Sequence, residues 1–483
     1  RPFRLFAVAA PGLEPLLYRE ASALRDACNV KQVSGGVMLE GHRGVLIDAN
    51  LRLRTATRVL VRVGRFKAYN RDGFTQKLGA LDWDAYLSPN AATPLRVTVN
   101  ASKSALYHTG MLKELVGTAL SKYGTVLTST EWSEERPPGS VLPGEQHIVV
   151  NLHRDLVAVS IDSSGIPLRE RLYRSGLPAR MPLKENFAAA MHMMSPALSE
   201  DQTCVDPFCG TGTLLIEGAL IAARRAPGLV RLELGRAFAF SDWPVLDGGS
   251  SSTFSAAVSL AREEQLPAPS TKRYFGSDKD PMIVASAQKA CVAAGVSDWV
   301  DVSCRPLSDA VFPSTRSGLV ITNPPFGPRA DKAAKLRPLY AAFGSVLRER
   351  AQGWNVSVLT PQATTNKMLF AKVGISGAFS EPFNISGRRH QVFQANVATE
   401  RAPRSNASAR KAHPPSATST GAAEAGVGAG AGAEADTGAG AGALGTLTSR
   451  KNDAEMREAA IKPSGPAANE AERSPSPKVE KCT

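Results

Sequence analysis

The chain has 483 residues, 43% of them hydrophobic and 21% charged, which is enough for two or three globular domains with their own cores. No apolar run approaches the roughly 20 residues needed to cross a bilayer, so composition argues against a membrane-spanning protein. The formal net charge of +13 favours a polyanionic partner. Residues 1–180 carry most of the excess, with 24 Lys and Arg against 16 Asp and Glu. We expect this part to bind nucleic acid; the alternative is a basic but merely well-solvated surface.

The cysteine and histidine patterns indicate a reduced, metal-free protein. The six cysteines include no C-x-x-C pair, and the seven histidines show no metal-ligand spacing. The first residues lack the apolar core of a secretory signal peptide. We therefore expect an intracellular protein without a metal, in the cytoplasm or in an organelle such as a plastid or mitochondrion.

Residues 1–66 predict a small α+β unit. Leu13, Leu17 and Leu24 recur at helical spacing, and Ser34-Gly35-Gly36 is typical of a hairpin turn. The predicted elements are a strand over 3–9, a helix over 12–27, a hairpin over 30–39, a helix over 45–54 and a strand over 56–63.

Residues 67–165 predict a second unit of the same kind. Lys103, Lys113 and Lys122 are scattered through it and suit contacts with phosphates, which position a nucleic acid without reading its sequence. The predicted elements are a strand over 95–100, a helix over 110–121, a polar loop over 131–144 and a pair of strands over 147–151 and 156–161.

Residues 166–202 predict a basic linker followed by a helix. Arg169, Arg171 and Arg174 give the linker its positive charge, and the apolar run 187–198 is helical in pattern. We add these three arginines to the candidate contacts with nucleic acid.

Residues 203–400 predict an α/β domain with a doubly wound parallel sheet, because strands alternate with helices of 10 to 15 residues. A Gly/Ser-rich flexible loop is expected at 248–253, and the role of 225–272 stays open. The Ala/Gly-rich tail, 401–483, is too poor in bulky residues to fold and is predicted to be disordered. The predicted strands are 203–206, 274–277, 300–304, 318–322 and 356–359, and the predicted helices are 214–224, 282–294 and 336–349.

The turn after the first strand of this domain has the features of a cofactor loop. Gly210 and Gly212 allow a tight turn, and Asp206 at the strand's end can accept hydrogen bonds from an ammonium group. A dinucleotide loop would have a third glycine where this chain has Leu215. The acid suits the cationic amino-acid portion of S-adenosylmethionine (SAM) better than a diphosphate. An ordinary turn between strand and helix is the alternative.

Two further acids follow the second and third strands. Asp278 is well placed to accept from both ribose hydroxyls of an adenosine, whereas Asp280 precedes Pro281 and suits a helix cap. Asp309 could accept a hydrogen bond from the adenine amino group. The equally expected alternative is that Asp309 is an ordinary acid in a surface loop. Together with Asp206 and Asn323, these acids put one polar group at the carboxyl end of four successive strands, where open parallel sheets bind ligands.

The run Asn323-Pro324-Pro325-Phe326 ends the strand over 318–322. The two prolines forbid helix and strand pairing, so the chain must turn. Such a corner can hold a planar ring with an exocyclic amine. Asn323 Oδ1 and the Pro324 carbonyl would accept hydrogen bonds from its two N–H groups, and Phe326 would stack on the ring. A Pro-rich loop after a buried strand is the alternative.

These motifs resemble those of class I SAM-dependent methyltransferases that act on amines. The carriers are D-P-F-C-G-T-G-T at 206–213, N-P-P-F at 323–326, P-L-K-E-N-F-A-A-A at 182–190 and G-S-D-K-D-P at 276–281. The combination is similar to the THUMP-domain guanine-N2 RNA methyltransferases, particularly the bacterial type acting on large-subunit ribosomal RNA. Residues 1–165 resemble that family's ferredoxin-like and THUMP regions, so the likeness covers about four-fifths of the chain. Phe326 departs from the tyrosine common in relatives.

The resemblance implies SAM as cofactor and the N2 amine of a guanine in RNA as substrate. Large-subunit ribosomal RNA is favoured and transfer RNA is the alternative; neither a metal nor a membrane is implied. Asn323, Pro324 and Phe326 would be the catalytic residues. The implied cofactor contacts are Asp206, Phe208, Gly210, Thr211, Gly212, Asp278 and Asp309.

Two other classes of function fit parts of the pattern. N-P-P-F serves any planar amine, so a DNA adenine-N6 or protein glutamine methyltransferase is one rival, against which the basic amino-terminal region argues. A non-catalytic RNA-binding assembly factor is the other, and the intact motif residues argue against it. Cys209 suggests covalent C5-methylation, but it lies in the cofactor turn, and we set that mechanism aside.

Overall fold

A computed structural model describes residues 2–89, 91–127, 141–178, 182–249, 252–313, 315, 317–326, 330–361 and 373–398. The tail predicted to be disordered, 401–483, and most of the predicted loop at 131–144 lie outside these residues. Across the described part of the chain, no helix is both long and apolar enough to cross a membrane. The described strands form two sheets of eight strands each.

The first sheet takes strands from both predicted amino-terminal units. Its order is β2-β3-β1-β4-β8-β7-β5-β6. The ten-residue β4 pairs with β1 along one edge and with β8 along the other, and so joins the two units into one sheet. The elements are β1 (Phe3–Val8), α1 (Glu14–Ser22), β2 (Cys28–Val33), β3 (Gly36–Gly41), α2 (Arg43–Arg52), β4 (Arg58–Lys67), α3 (Arg71–Gly79), β5 (Thr93–Ser102), α4 (Thr109–Ala119), β6 (Gly124–Val126), β7 (Gln146–His153) and β8 (Leu156–Asp162).

The second sheet has the predicted alternation of strand and helix. Its elements are α5 (Glu185–Met194), β9 (Thr203–Asp206), α6 (Thr213–Ala222), α7 (Pro227–Glu233), α8 (Ser252–Glu263), β10 (Tyr274–Asp278), α9 (Pro281–Ala293), β11 (Val300–Cys304), β12 (Gly318–Thr322), α10 (Ala330–Arg350), β13 (Asn355–Pro361), β14 (Gly377–Phe379), β15 (Phe383–Ile385) and β16 (Arg388–Asn396), with 3-10 helices at Ala239–Asp242, Pro244–Gly249 and Leu307–Asp309.

The strand order of this sheet creates a ligand crevice. The order is β11-β10-β9-β12-β13-β16-β14, with β15 pairing to β16, and β9 to β13 run parallel. The direction of winding reverses between β9 and β12, where open α/β sheets bind their ligands. The sequence predicted a sheet that is parallel throughout, but β16 is antiparallel to β13. β16 follows β15 through a short hairpin turn, and such a tight turn can join only antiparallel strands.

The central strands are buried on both faces. Leu319 and Ile321 of β12 pack in one apolar cluster with α6 and α9, whereas Val320 between them packs with Phe343 and Leu347 of α10 in another. Successive strand residues point to opposite faces, so a continuous apolar run is what a sheet covered by helices on both sides requires. For this reason the sequence could predict these strands.

The segment 225–272, whose role the sequence left open, packs against the first sheet. Trp243 is fully buried there, its indole N–H donates to Gln146 Oε1 at 2.8 Å, and Tyr86 contacts its ring edge-on at 5.1 Å. The loop predicted at 248–253 is corrected at its two described ends, because a 3-10 helix runs to Gly249 and α8 begins at Ser252, whereas residues 250 and 251 lie outside the described residues. The amphipathic pattern of α8 buries Ala261 in the core shared with the first sheet.

The basic linker lies between the two sheets, and the burial of Arg171 corrects the prediction that this residue contacts nucleic acid, whereas the contact of the partly buried Arg174 stays a prediction. Arg171 is only 2% exposed, forms an ion pair with Glu217 at 3.5 Å and donates to the Arg54 carbonyl at 2.6 Å. Arg174 pairs with Glu185 at 2.7 Å. Buried charges persist only when they are paired, so the Arg171 guanidinium is held in place by its partners inside the protein.

We predict that Arg171→Gln destabilises the protein by about 3 kcal/mol, because it leaves Glu217 buried without its cation. The measurement is the free energy of unfolding from urea titrations. Lys113→Gln, at an exposed position of α4, is the control and should change stability by less than about 0.5 kcal/mol. Unchanged stability with weakened RNA binding in Arg171→Gln would restore the original interpretation.

Candidate active site at the sheet edge

A cavity of about 250 Å³ opens at the carboxyl ends of β9, β10 and β12. It lies at the reversal of strand order described above, where a ligand site is expected. Five of the seven residues predicted to bind a cofactor line it, and so does Asn323. The lining residues are Pro182, Leu183, Asp206, Phe208, Cys209, Gly210, Thr211, Thr213, Leu214, Asp278, Lys279, Asp280, Ile283 and Asn323.

Asp206 is buried at the end of β9 and held by two hydrogen bonds. It accepts from Thr322 Oγ1 at 2.6 Å and from the Phe208 N–H at 3.1 Å. Burial raises the pKa of its carboxyl to about 7, and the negative charge of Asp278 adds to the rise. Thr322 is the last residue of β12, so this contact joins the cofactor turn to the strand that ends in Asn323.

The glycine-rich turn has the backbone that its sequence predicts. Gly210 and Gly212 have φ of +52° and +76°, in the left-handed region, and Gly212 precedes the first residue of α6. The Cys209 N–H donates to the Ser277 carbonyl at 3.0 Å, which ties the turn to β10. Burial raises the pKa of the Cys209 thiol, which keeps it protonated and unsuited to covalent catalysis.

The two acids at the end of β10 have different surroundings, and the predicted cap at Asp280 is confirmed. Asp280 caps α9 by accepting from the Met282 N–H at 3.0 Å. Asp278 is half-buried at the cavity and accepts from the Asp280 N–H at 3.0 Å. The cap holds the loop in place, and the Asp278 carboxylate is the one at the strand tip.

The structure does not bring Asp309 into the cavity. It ends a short 3-10 helix after β11, is exposed and is absent from the cavity lining. Phe208 and Thr211 do line the cavity, and the Phe208 ring packs edge-on against Phe343 at 5.5 Å. The assignment of Asp309 to adenine therefore stays a prediction that rests on its position after the third strand.

Asn323 has a buried hydrogen-bond acceptor at the cavity. Its Oδ1 is buried, faces no hydrogen-bond donor among the described residues, and belongs to a side chain that lines the cavity. An unsatisfied buried acceptor costs about 1–3 kcal/mol, and folded proteins keep few of them outside functional sites. Pro324 beside it is buried.

Two residues that sequence reasoning missed support the N-P-P-F run. The Tyr340 hydroxyl of α10 donates to the Pro325 carbonyl at 3.3 Å. The His390 ring of β16 contacts the half-buried Phe326 edge-on, with ring centroids 5.9 Å apart. Both come from elements distant in sequence, so no local pattern could have indicated them. Thr322 was also missed, although its place directly before Asn323 was a signal.

The predicted RNA-contacting lysines lie with the first sheet, away from the cavity lining. Lys103 and Lys113 are exposed, and Lys122 pairs with Asp84 at 3.6 Å on the surface. Arg169 is half-buried and pairs with Glu170 at 3.3 Å. Lys103 and Lys113 are therefore exposed to a large partner, whereas Lys122 has a carboxylate partner on the surface.

Two family models match the chain. Residues 171–390 match the model described as "RMKL-like, methyltransferase domain", and residues 4–60 match the "RlmL ferredoxin-like domain". Residues 171–390 are therefore similar to an RMKL-like methyltransferase domain. The predicted family resemblance and the α/β methyltransferase fold with a ferredoxin-like region before it are thereby confirmed.

Curated relatives and a solved structure agree with these matches. The chain is 30% identical over 361 residues to "Ribosomal RNA large subunit methyltransferase K/L" of Desulfotalea psychrophila, covering 74% of this chain and 48% of that protein. It is 32% identical over 402 residues to the protein of the same name from Methylococcus capsulatus, covering 82% and 51%. The chain thus spans about half the length of these relatives. The structure of SMU.472 complexed with SAH is 28% identical, with a TM-score of 0.67, and covers 83% of this chain and 99% of that one.

The buried Asp206 makes the stability of the ligand-free protein depend on pH. Its pKa is about 7 in the folded state against 3.8 for an ordinary aspartate, so between about pH 4 and pH 7 the folded state holds a proton that the unfolded state has lost. The resulting stabilisation is present below about pH 4 and is lost as pH rises to about 7.

We therefore expect the wild-type free energy of unfolding to fall with pH relative to that of Asp206→Asn, by up to about 1.4 kcal/mol per pH unit in this window. Urea unfolding of both proteins from pH 5 to pH 8 measures the difference. Parallel curves would show that Asp206 is ionised in the folded protein.

Proposed function

We propose that the chain transfers a methyl group from SAM to the N2 amine of a guanine in RNA, with large-subunit ribosomal RNA as the favoured substrate. The observation that carries the proposal is the buried Oδ1 of Asn323 at the cavity, which has no hydrogen-bond partner among the described residues. An acceptor held ready for an N–H donor is what an amine substrate requires.

The cavity residues fit SAM. Gly210, which is left-handed and lines the cavity, leaves room for the ligand, and Asp278 at the tip of β10 accepts hydrogen bonds from the ribose hydroxyls in this proposal. Asp206, held by Thr322, adds an acidic group near the turn. When bound, SAM supplies a methyl group on a cationic sulfur.

The N-P-P-F residues orient the amine. Asn323 Oδ1 and the Pro324 carbonyl accept hydrogen bonds from its two N–H groups, and these bonds direct the nitrogen lone pair toward the methyl donor. Tyr340 anchors the neighbouring Pro325 carbonyl, so the acceptors are in position before substrate binds. The guanine stacks on Phe326, worth about 1–3 kcal/mol by analogy with other base-stacking aromatics. The amine loses its proton readily once it is alkylated, so positioning supplies most of the rate gain.

RNA is proposed as the substrate on three grounds. The curated relatives are named for large-subunit ribosomal RNA. The first 180 residues carry most of the positive charge, and Lys103 and Lys113 are exposed on that part. Each phosphate contact of this kind adds salt-dependent affinity without base preference. Transfer RNA is the alternative that shares these features.

Incubation with tritiated SAM and separate RNA, DNA and protein pools tests the class of substrate. The proposal expects label in RNA, and mass spectrometry of the digested RNA should find N2-methylguanosine. Label confined to DNA or protein would support the rival amine methyltransferases. The absence of SAM binding at high concentration would support a non-catalytic assembly factor.

We predict that Asn323→Ala abolishes methyl transfer, with a loss of at least about 100-fold in kcat, while the Kd for SAM changes by less than about threefold. Asn323 touches the amine in the proposal, whereas the cofactor has other contacts. Asn396→Ala, at the exposed far end of β16, is the matched control and should be fully active. Equal loss of transfer and SAM affinity in Asn323→Ala would assign it to the cofactor instead.

We predict the reverse for Asp278→Asn, which should raise the Kd for SAM by about 10- to 100-fold because a charge-assisted hydrogen bond is weakened. Isothermal titration calorimetry measures this directly. Asp309→Asn is the matched comparison, since Asp309 also follows a strand but does not line the cavity. A larger effect of Asp309→Asn than of Asp278→Asn would reverse the two assignments.

A further inference from the structure

The hairpin of β15 and β16 begins at the same sheet edge as the active site. β16 is antiparallel to β13, and His390 near its start lies opposite Pro361 at the end of β13. The turn contains Ser386 and Gly387, with φ of +50° and +80°, as a tight hairpin turn requires. The turn therefore projects beside the N-P-P-F run.

The hairpin contacts the substrate-stacking residue directly. The His390 ring lies edge-on to Phe326 at 5.9 Å. Alternate residues of a strand share a face, so Arg388 points to the same side of the hairpin as His390 and Phe326, and Arg389 to the other. Both arginines are exposed, and neither forms an ion pair with any residue that the structure describes.

A third cation reaches the same turn. Lys184 Nζ lies 3.5 Å from Ser386 Oγ, and Lys184 directly follows Pro182 and Leu183, which line the cavity. Burial, and next the nearby Arg169 guanidinium, lower the pKa of Lys184.

We infer that Arg388, Arg389 and Lys184 form a phosphate clamp, which binds the RNA backbone on either side of the nucleotide held by Asn323 and Phe326. This inference rests on the proposed function. A base that leaves its stack to enter a cavity carries its two flanking phosphates to the cavity rim. Unpaired guanidiniums bind phosphate in a bidentate manner, and such contacts hold the backbone in register without reading sequence.

The test is methyl transfer to an unmodified large-subunit ribosomal RNA transcript by R388Q/R389Q. We expect about a tenfold higher KM for RNA, with kcat at saturating RNA and the Kd for SAM within about twofold of wild type. The plot of log KM against log salt concentration should be shallower by about 1.5 to 2, since two phosphate contacts are lost. R388K/R389K keeps both charges and should retain the wild-type salt slope.

The control is R236Q/K289Q, which removes two charges from exposed positions of the same domain that lie outside the hairpin. It should leave KM and the salt slope unchanged. Equal salt slopes for R388Q/R389Q and wild type would overturn the clamp, and so would an equal effect of the control. Loss of SAM binding in R388Q/R389Q would also overturn it, by showing that the hairpin supports the cofactor site.

Failure of the proposed function is a separate result, because inactivity of wild type on RNA, or full activity of Asn323→Ala, bears on that proposal alone.

Discussion

The hydrogen bond from Thr322 to Asp206 is the contact on which the geometry of the site depends. It joins the end of β12 to the end of β9 at 2.6 Å, across the point where the strand order reverses. The glycine-rich turn follows one of these residues, and Asn323 follows the other. Because both loops start from the same buried contact, their relative position is set by the sheet and not by the loops themselves.

Around this contact, rigidity comes from parts of the chain that are remote in sequence. Tyr340 anchors the proline run, His390 contacts Phe326, and Asp280 caps the helix behind Asp278. Asn323 Oδ1, between these satisfied groups, has no hydrogen-bond donor within the part of the chain that the structure describes. A strained or unsatisfied group persists when the surrounding structure is stable enough to offset its unfavourable free energy. Such groups concentrate at sites where ligands bind.

The first sheet and the methyltransferase domain share a buried polar joint. Arg171 bridges from Glu217 of α6 to the Arg54 carbonyl after α2, and Trp243 extends the contact to Gln146. Removal of residues 1–165 would therefore expose a charged and apolar interface rather than free an independent domain. The exposed lysines of the first sheet and the cations of the hairpin are held in one geometry, which suits a substrate that spans both.

Much of the fold was predictable because it depends on local patterns. The strand at 318–322 contains the continuous apolar run Leu319-Val320-Ile321 and is followed by Asn323 and two prolines, and a strand buried on both faces requires that pattern. Gly210, Gly212 and the Pro324-Pro325 pair determine local backbone geometry wherever they occur, so the cofactor turn and the substrate corner could be predicted from sequence.

The remainder was decided by tertiary structure, because it depends on which distant groups meet. Sequence could not distinguish Arg171, buried against Glu217, from an arginine exposed to RNA, since charge has no periodicity that reports its partner. It could not show that β4 joins two units into one sheet, nor that the hairpin places His390 beside Phe326. The sequence alone determined the chemistry of the site, that is, its acids, glycines and proline-bounded asparagine. Only the packing of the sheets decided which of these groups meet in the cavity, because their contacts join residues that are far apart in the chain.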